Sequence, residues 1–248
     1  PGKELKEIFF DTKRLMSAFE EMGLEPPVLP KGALDFMETP VLLKPAYPPT
    51  RSESPGEGAL KTLETLRDHM GDCQRCGLHK DRKHLVFGEG NPKAKLVFVG
   101  EGPGVDEDQA GRPFVGKSGQ LLTKIIEKGM GLTRESVYIC NVVKCRPPGN
   151  RDPNPHETRT CLPFLKAQLG IIGPGVICAL GRVACQALMG GDFKITRDRG
   201  QWRTYHGIPL MPTFHPAYLL RNAAAKRPVW DDVKSIMGKL GLEVTQNG

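Results

Sequence analysis

The sequence predicts an α/β fold: a three-layer α/β/α sandwich around a central, mostly parallel sheet. Three observations carry this. Short apolar runs at Lys95–Val99, Val137–Val143 and Val176–Leu180 have the length and continuity of buried strands. Between them lie stretches whose apolar residues recur at helical spacing, and strands alternating with helices imply a parallel sheet with helices on both faces. The 248 residues, 39% hydrophobic and 25% charged, fall in the globular range, which excludes a collagen, a coiled coil or a wholly disordered chain.

In chain order, residues 4–22 place Leu5, Ile8, Phe9, Leu15, Met16, Phe19 and Met22 on one helical face, with Gly23 at the C-cap position. Residues 24–58 then hold eight of the 22 prolines, which blocks regular structure and predicts an extended, partly disordered linker. The expected division is therefore 1–58, an amphipathic helix plus linker that could dock a partner, and 59–248, the compact domain. In that domain Lys95–Val99 runs into Gly100 as a first strand. Ser118–Lys128 follows as a helix, with Leu121, Leu122, Ile125 and Ile126 on one face. Val137–Val143 is the next strand and Glu157–Leu169 the next helix. Val176–Leu180 is a third strand, followed by a helix through Leu188. Gln201–Tyr205 and Ile208–Pro212 read as a hairpin turning at His206-Gly207, and a last helix covers about Val229–Leu240. There is no internal repeat.

No apolar run approaches the roughly 20 residues that span a bilayer. The first residues lack the basic and apolar segments of a secretory signal, so no membrane association or export is expected. Seven cysteines, an odd count, fit a reducing compartment and thiol or metal chemistry. A net charge of +7 suits a polyanionic partner without identifying one.

Ligands of such sheets sit beyond the carboxyl ends of the strands, where residues 100–116, 141–156 and 213–221 are expected. The first segment is glycine-rich, but its spacing matches neither a dinucleotide fingerprint nor a P-loop. It offers backbone free to approach a ligand, with Glu101, Glu107 and Phe114 alongside. Cys73-x-x-Cys76 brings two thiolates together, and Cys145 and Cys161, with 15 residues between them, complete a possible four-thiolate site. Structural zinc usually uses two tight pairs, whereas an iron–sulfur cluster tolerates wider spacing, so spacing alone leaves zinc, an iron–sulfur cluster and no metal all open. Cys140, Cys178 and Cys185 lie in apolar elements and read as core. His215, at a strand end before Pro216, is balanced between a structural and a catalytic role.

The motifs GEGPG (100–104), GRPFVGKSGQLL (111–122), NVVKCRPPGNRDP (141–153) and HPAYLLR (215–221), with the four-cysteine pattern among them, resemble the family 4 uracil-DNA glycosylases, the iron–sulfur type of bacteria and archaea. The resemblance covers residues 59–240. It implies monofunctional hydrolysis of the N-glycosidic bond of uracil in single- or double-stranded DNA, by a monomer working in the prokaryotic cytoplasm at the nucleoid. It also implies a 4Fe–4S cluster on Cys73, Cys76, Cys145 and Cys161.

By the same resemblance Phe114 stacks on the flipped base, Asn141 reads its edge, and Gly102, Pro103 and Glu107 border it. His215 stabilises the departing anion, and Glu101 positions water or faces the charge developing on the sugar. Leu219 fills the hole in the stack, while Lys117 and Arg221 contact phosphates. The best-known uracil glycosylases carry Asp where this chain has Gly102, which makes the role of Glu101 the open point. A covalent-trapping branch of the superfamily carries a histidine-bearing insert after its second motif. Here residues 144–153 run straight on, and His156 is expected at a helix start, so trapping is not expected. The alternative from another class is a non-catalytic iron–sulfur module that senses lesions on DNA.

Overall fold

A computed structural model describes residues 61–243. The amphipathic helix and proline-rich linker expected for residues 1–58, and the boundary after them, lie outside the described residues. The first element is α1 (Leu63–Met70), which the periodicity reading missed. It starts because the Thr62 hydroxyl accepts from the Thr65 N–H at 3.1 Å, and it buries Leu66 and Met70 beside Phe164.

Six strands form one sheet: β1 (Glu89–Gly90), β2 (Leu96–Gly100), β3 (Tyr138–Asn141), β4 (Val176–Leu180), β5 (Arg203–Tyr205) and β6 (Ile208–Thr213). Their order is β1-β3-β2-β4-β6-β5. The pairs β3–β2, β2–β4 and β4–β6 are parallel, and the two edge strands are antiparallel. The mostly parallel sheet expected from the sequence is therefore present.

Alternation along β2 assigns its side chains to two cores. Val97 and Val99 pack with Leu165 and Leu169 of α4 (Pro155–Ile172) and with Ala184 and Leu188 of α5 (Gly181–Met189). Leu96 and Phe98 face the opposite layer, with Leu122 of α3 (Lys117–Lys124) and Val233 and Ile236 of α8 (Lys226–Leu240). Three short helices complete the domain: α2 (Val105–Ala110), α6 (Ile195–Asp198) and α7 (Pro216–Arg221).

The boundaries differ from expectation where local hydrogen bonds override apolar pattern. Helix α4 starts at Pro155, two residues early, because Asn154 and Glu157 cap it reciprocally: the Asn154 side chain accepts from the Glu157 N–H at 2.9 Å, and the Glu157 carboxylate accepts from the Asn154 N–H at 2.8 Å. The third helix becomes a π turn at Ile125–Gly129. Strand β3 stops at Asn141. Beyond it the Val142 and Val143 N–H groups donate to the Gly100 and Glu101 carbonyls at 2.9 and 3.0 Å, so this segment curves over the end of β2. Gly100 lies directly opposite Asn141 in the ladder, and Leu180 opposite Thr213, so these strands end nearly level.

Candidate active site

Above those ends opens a cavity of about 430 Å³, walled by Glu101, Gly102, Pro103 and Glu107 after β2, Phe114 before α3, Asn141 at the end of β3, and His215 and Arg221 around α7. The fold thus gathers all of these sequence-predicted residues from four segments. Lys117 is exposed in the first turn of α3 and is not part of the wall.

Leu219 is corrected. It is 2% exposed and packs in the core with Leu122 and Val229. In a helix as short as α7, one step of 100° decides which leucine faces outward, and that residue is Leu220, 52% exposed. Tyr218, also exposed, stands on the cavity wall.

Phe114 has φ of 52°, in the left-handed region where a bulky residue is strained. Glu107 shows what holds it there. One oxygen of its buried carboxylate accepts from the Val115 and Gly116 N–H groups, both at 2.9 Å, and the other accepts from the Gly104 N–H at 3.1 Å. The residue expected to border the base therefore spends its oxygens clamping the two glycine-rich turns together. From outside, Arg134 donates to the Pro113 carbonyl and to Glu89, to which Arg112 also donates.

Gly100 makes the meeting of Phe114 and Asn141 possible. A Cβ there would stand 2.4 Å from Asn141 Oδ1 and 2.5 Å from Phe114 Cζ. Asn141 is 1% exposed, and its Oδ1 makes no hydrogen bond within the protein. Leaving a buried acceptor unpaired costs about 1–3 kcal/mol, so a ligand donor is favoured at that atom.

His215 lies across from Phe114, with ring centroids 5.5 Å apart and planes inclined by 33°. Its Nδ1 accepts from the Ala217 N–H at 3.1 Å. Burial pushes its pKa down to about 4, against the opposing pull of Glu107 and with help from Arg221. The ring is therefore neutral at pH 7, and because Nδ1 is the acceptor the proton resides on Nε2. The result is a neutral N–H donor beside an aromatic face.

Glu101 behaves oppositely. Burial pushes its carboxyl up to about 7, Asp152 adds repulsion and Arg182 offsets part of it. Asp152, itself paired with Arg182, shares the wall with Asn150 and Arg151. These three were not singled out as site residues, although they belong to the quoted 141–153 motif. Asn150 takes φ of 55°, and its Oδ1 accepts from Arg146 Nε at 2.7 Å. Gly102 has no room for a side chain, since a Cβ would stand 2.7 Å from Val143 Cγ2. His156 is exposed in the first turn of α4 and off the wall, as expected.

The four cysteines share a second, smaller cavity with Met70, Leu78, Phe164 and Lys144. Among the described residues no set of three or more His, Cys, Asp and Glu side chains could hold a single metal ion. Burial pushes the Cys76 and Cys145 thiols up and Cys161 up to about 12. One of the sulfurs receives a side-chain donor, Arg82 Nη1 standing 3.2 Å from Cys145 Sγ. A cation aimed at sulfur opposes that burial penalty, and four sulfurs lining one cavity are a donor set of the type that thiolate-bound metal groups use. Cys140, Cys178 and Cys185 are buried in the sheet and α5, as expected for core.

Among the described residues no helix is long and apolar enough to cross a membrane. Residues 87–234 match the family model described as the uracil DNA glycosylase superfamily. The chain is 47% identical over 188 residues to a type-4 uracil-DNA glycosylase of Thermotoga maritima, covering 72% of this chain and 96% of that protein. It is 43% identical over 185 residues to the type-4 enzyme of Sulfurisphaera tokodaii (71% of this chain, 84% of that protein). The identity to the Saccharolobus solfataricus type-4 enzyme is 41% over 189 residues (71% and 86%). With the pocket geometry and these relatives in agreement, the chain belongs to the uracil-DNA glycosylase superfamily and, within it, to the type-4 branch.

Proposed function

We propose that the protein removes uracil from DNA by hydrolysing its N-glycosidic bond, leaving an abasic site. The observation that carries this reading is the buried, unpaired Oδ1 of Asn141, set beside Phe114 and opposite a neutral histidine in one cavity. A base must leave the stack before its glycosidic bond can be reached. Once flipped, its face lies on Phe114. Asn141 Oδ1 accepts from uracil N3–H, and its amide N–H donates to O4. Cytosine reverses both roles and would leave buried polar atoms unpaired.

Cleavage breaks C1′–N1, and N1 keeps the electron pair. The charge spreads onto O2, where His215 Nε2–H donates; a neutral donor in a dry site stabilises that anion without protonating it. Glu101, ionised, faces the positive charge growing on the sugar. It orients a water whose oxygen bonds C1′ and whose proton passes to the carboxylate. Asp152 and Asn150 border the same approach.

Arg221, exposed on the cavity wall, and Lys117, exposed in the first turn of α3, are assigned to phosphates of single- or double-stranded DNA. Cys73, Cys76, Cys145 and Cys161 are assigned to one 4Fe–4S cluster, which when bound ties the segment after α1 to the turn after β3 and to α4. The protein is read as a monomer of the prokaryotic cytoplasm, working at the nucleoid. A lesion-sensing module without chemistry is not favoured, because its relatives are enzymes and a sensor has no use for an anion-stabilising donor.

Incubation with a uracil-containing oligonucleotide followed by alkali should give strand breaks at uracil only. Intact strands, from protein that binds them, would overturn the reading. Anaerobically purified protein should be brown and contain iron and sulfide. Stoichiometric zinc without iron would sink the cluster assignment.

A further inference from the structure

Lys144 is among the largest fully buried side chains of the molecule, 1% exposed, and among the described residues it forms no ion pair with a carboxylate. Burying an ammonium is costly unless an anion and hydrogen bonds compensate it. The hydrogen bonds are present: Nζ donates to the Asn141 carbonyl at 2.7 Å and to Gln168 Oε1 at 2.5 Å. Gln168 is fixed in turn, because its Nε2 donates to the Phe87 carbonyl at 2.9 Å and to Tyr138 Oη at 3.2 Å. The missing element is the anion. The same residue lines the cysteine cavity and directly precedes Cys145.

We propose that Lys144 is a positioning residue that couples the cysteine-bound cluster to base recognition, holding the main chain of Asn141 at the pocket floor while its charge is compensated by the cluster. This rests on the assignment of the four cysteines above. A cluster held by four thiolates carries net negative charge, which gives the buried ammonium its counter-ion. With that charge in place, both Nζ donations persist and the Asn141 backbone is anchored four residues from a ligand. Without it, the ammonium is uncompensated, it draws water or moves, and the Asn141 amide loses its fixed height. The cluster then acts on uracil affinity as well as on folding.

Lys144→Met keeps length and apolar bulk while removing the charge and both donations. In iron-loaded protein it should weaken inhibition by free uracil on the order of 10-fold to 100-fold, the range for a hydrogen bond to a charged group. It should also lower the cluster's reduction potential, because a nearby cation favours the reduced form. Binding to uracil-free DNA should stay unchanged. If Lys144→Met does not fold, Gln168→Leu, which removes one of the two acceptors, should shift uracil inhibition the same way by a smaller factor. Unchanged uracil inhibition and unchanged potential in an iron-loaded variant would overturn the coupling and leave the cluster assignment standing. Wild-type protein free of iron would overturn both.

Discussion

At the carboxyl ends of β2, β3 and β6 the polar atoms that matter are left without partners, whereas around the four cysteines the donors are already spent. Asn141 Oδ1 accepts nothing and His215 keeps an Nε2–H in reserve. By contrast Arg82 already turns an N–H onto Cys145 Sγ, and Lys144 Nζ is spent on the Asn141 carbonyl and Gln168. The first region is open to a partner that comes and goes, whereas in the second the polar groups are already engaged. Pocket changes should therefore alter rate and selectivity with little effect on stability, and changes to the apolar packing should do the reverse.

The sharpest way to break that comparison is His215→Ala. Removing one preorganised donor should lower the single-turnover rate about 10²–10³-fold, with thermal unfolding and DNA binding nearly unchanged. A near wild-type rate would return this histidine to a structural role. Next come the two leucines of α7. Leu219→Ala should destabilise the fold by roughly 2–5 kcal/mol in denaturant titrations, as core leucines do. Leu220→Ala should leave stability within about 0.5 kcal/mol. It should instead slow base extrusion, read with a fluorescent base analogue opposite the uracil. Equal stabilities would show that the packing of α7 is misread.

Asn141→Asp comes third. A carboxylate cannot donate to O4 and opposes a base acquiring negative charge, so discrimination for uracil over cytosine should fall on the order of tenfold. The comparison is of single-turnover rates on the two substrates, with iron content matched. The fourth test is a pH dependence. With its carboxyl pushed up to about 7, Glu101 is protonated below that pH and ionised above it. The rate should therefore fall about tenfold for each pH unit below 7 and flatten above. His215, held near 4, stays neutral throughout this range and adds no second limb. Glu101→Gln should be slow and flat, and a retained pH limb in that variant would assign it to another group.

What the sequence made legible follows the same division. The buried strands were visible as apolar runs, because a strand covered on both faces needs no alternation, and β4 coincides with its run. Glu101 and His215 were legible at strand ends and Phe114 in a glycine-rich turn, whereas Asn141, inside an apolar run, was legible only through the resemblance of its motif. Three features were not. Helix α7 is six residues long, too short for periodicity to tell Leu219 from Leu220. The role of Glu107 depends on N–H groups eight and nine residues away, and side-chain bonds across a turn leave no period. Lys144, a charged residue in an apparent loop, reads as solvated until the fold brings Gln168 to it from α4.

The contact between position 102 and Val143 bears on how catalytic designs interconvert. An aspartate at 102 is a feature of the best-known uracil glycosylases, yet its first carbon would overlap Val143 Cγ2 here. Either change alone is penalised: the aspartate by collision, and a smaller residue at 143 by a void beside the pocket. The two positions are thus one unit of inheritance rather than two, and their effects should be strongly non-additive. A lineage moving between a glycine-type and an aspartate-type loop has to cross a less fit intermediate or change both together. Such a barrier keeps two solutions to the same reaction apart within one fold.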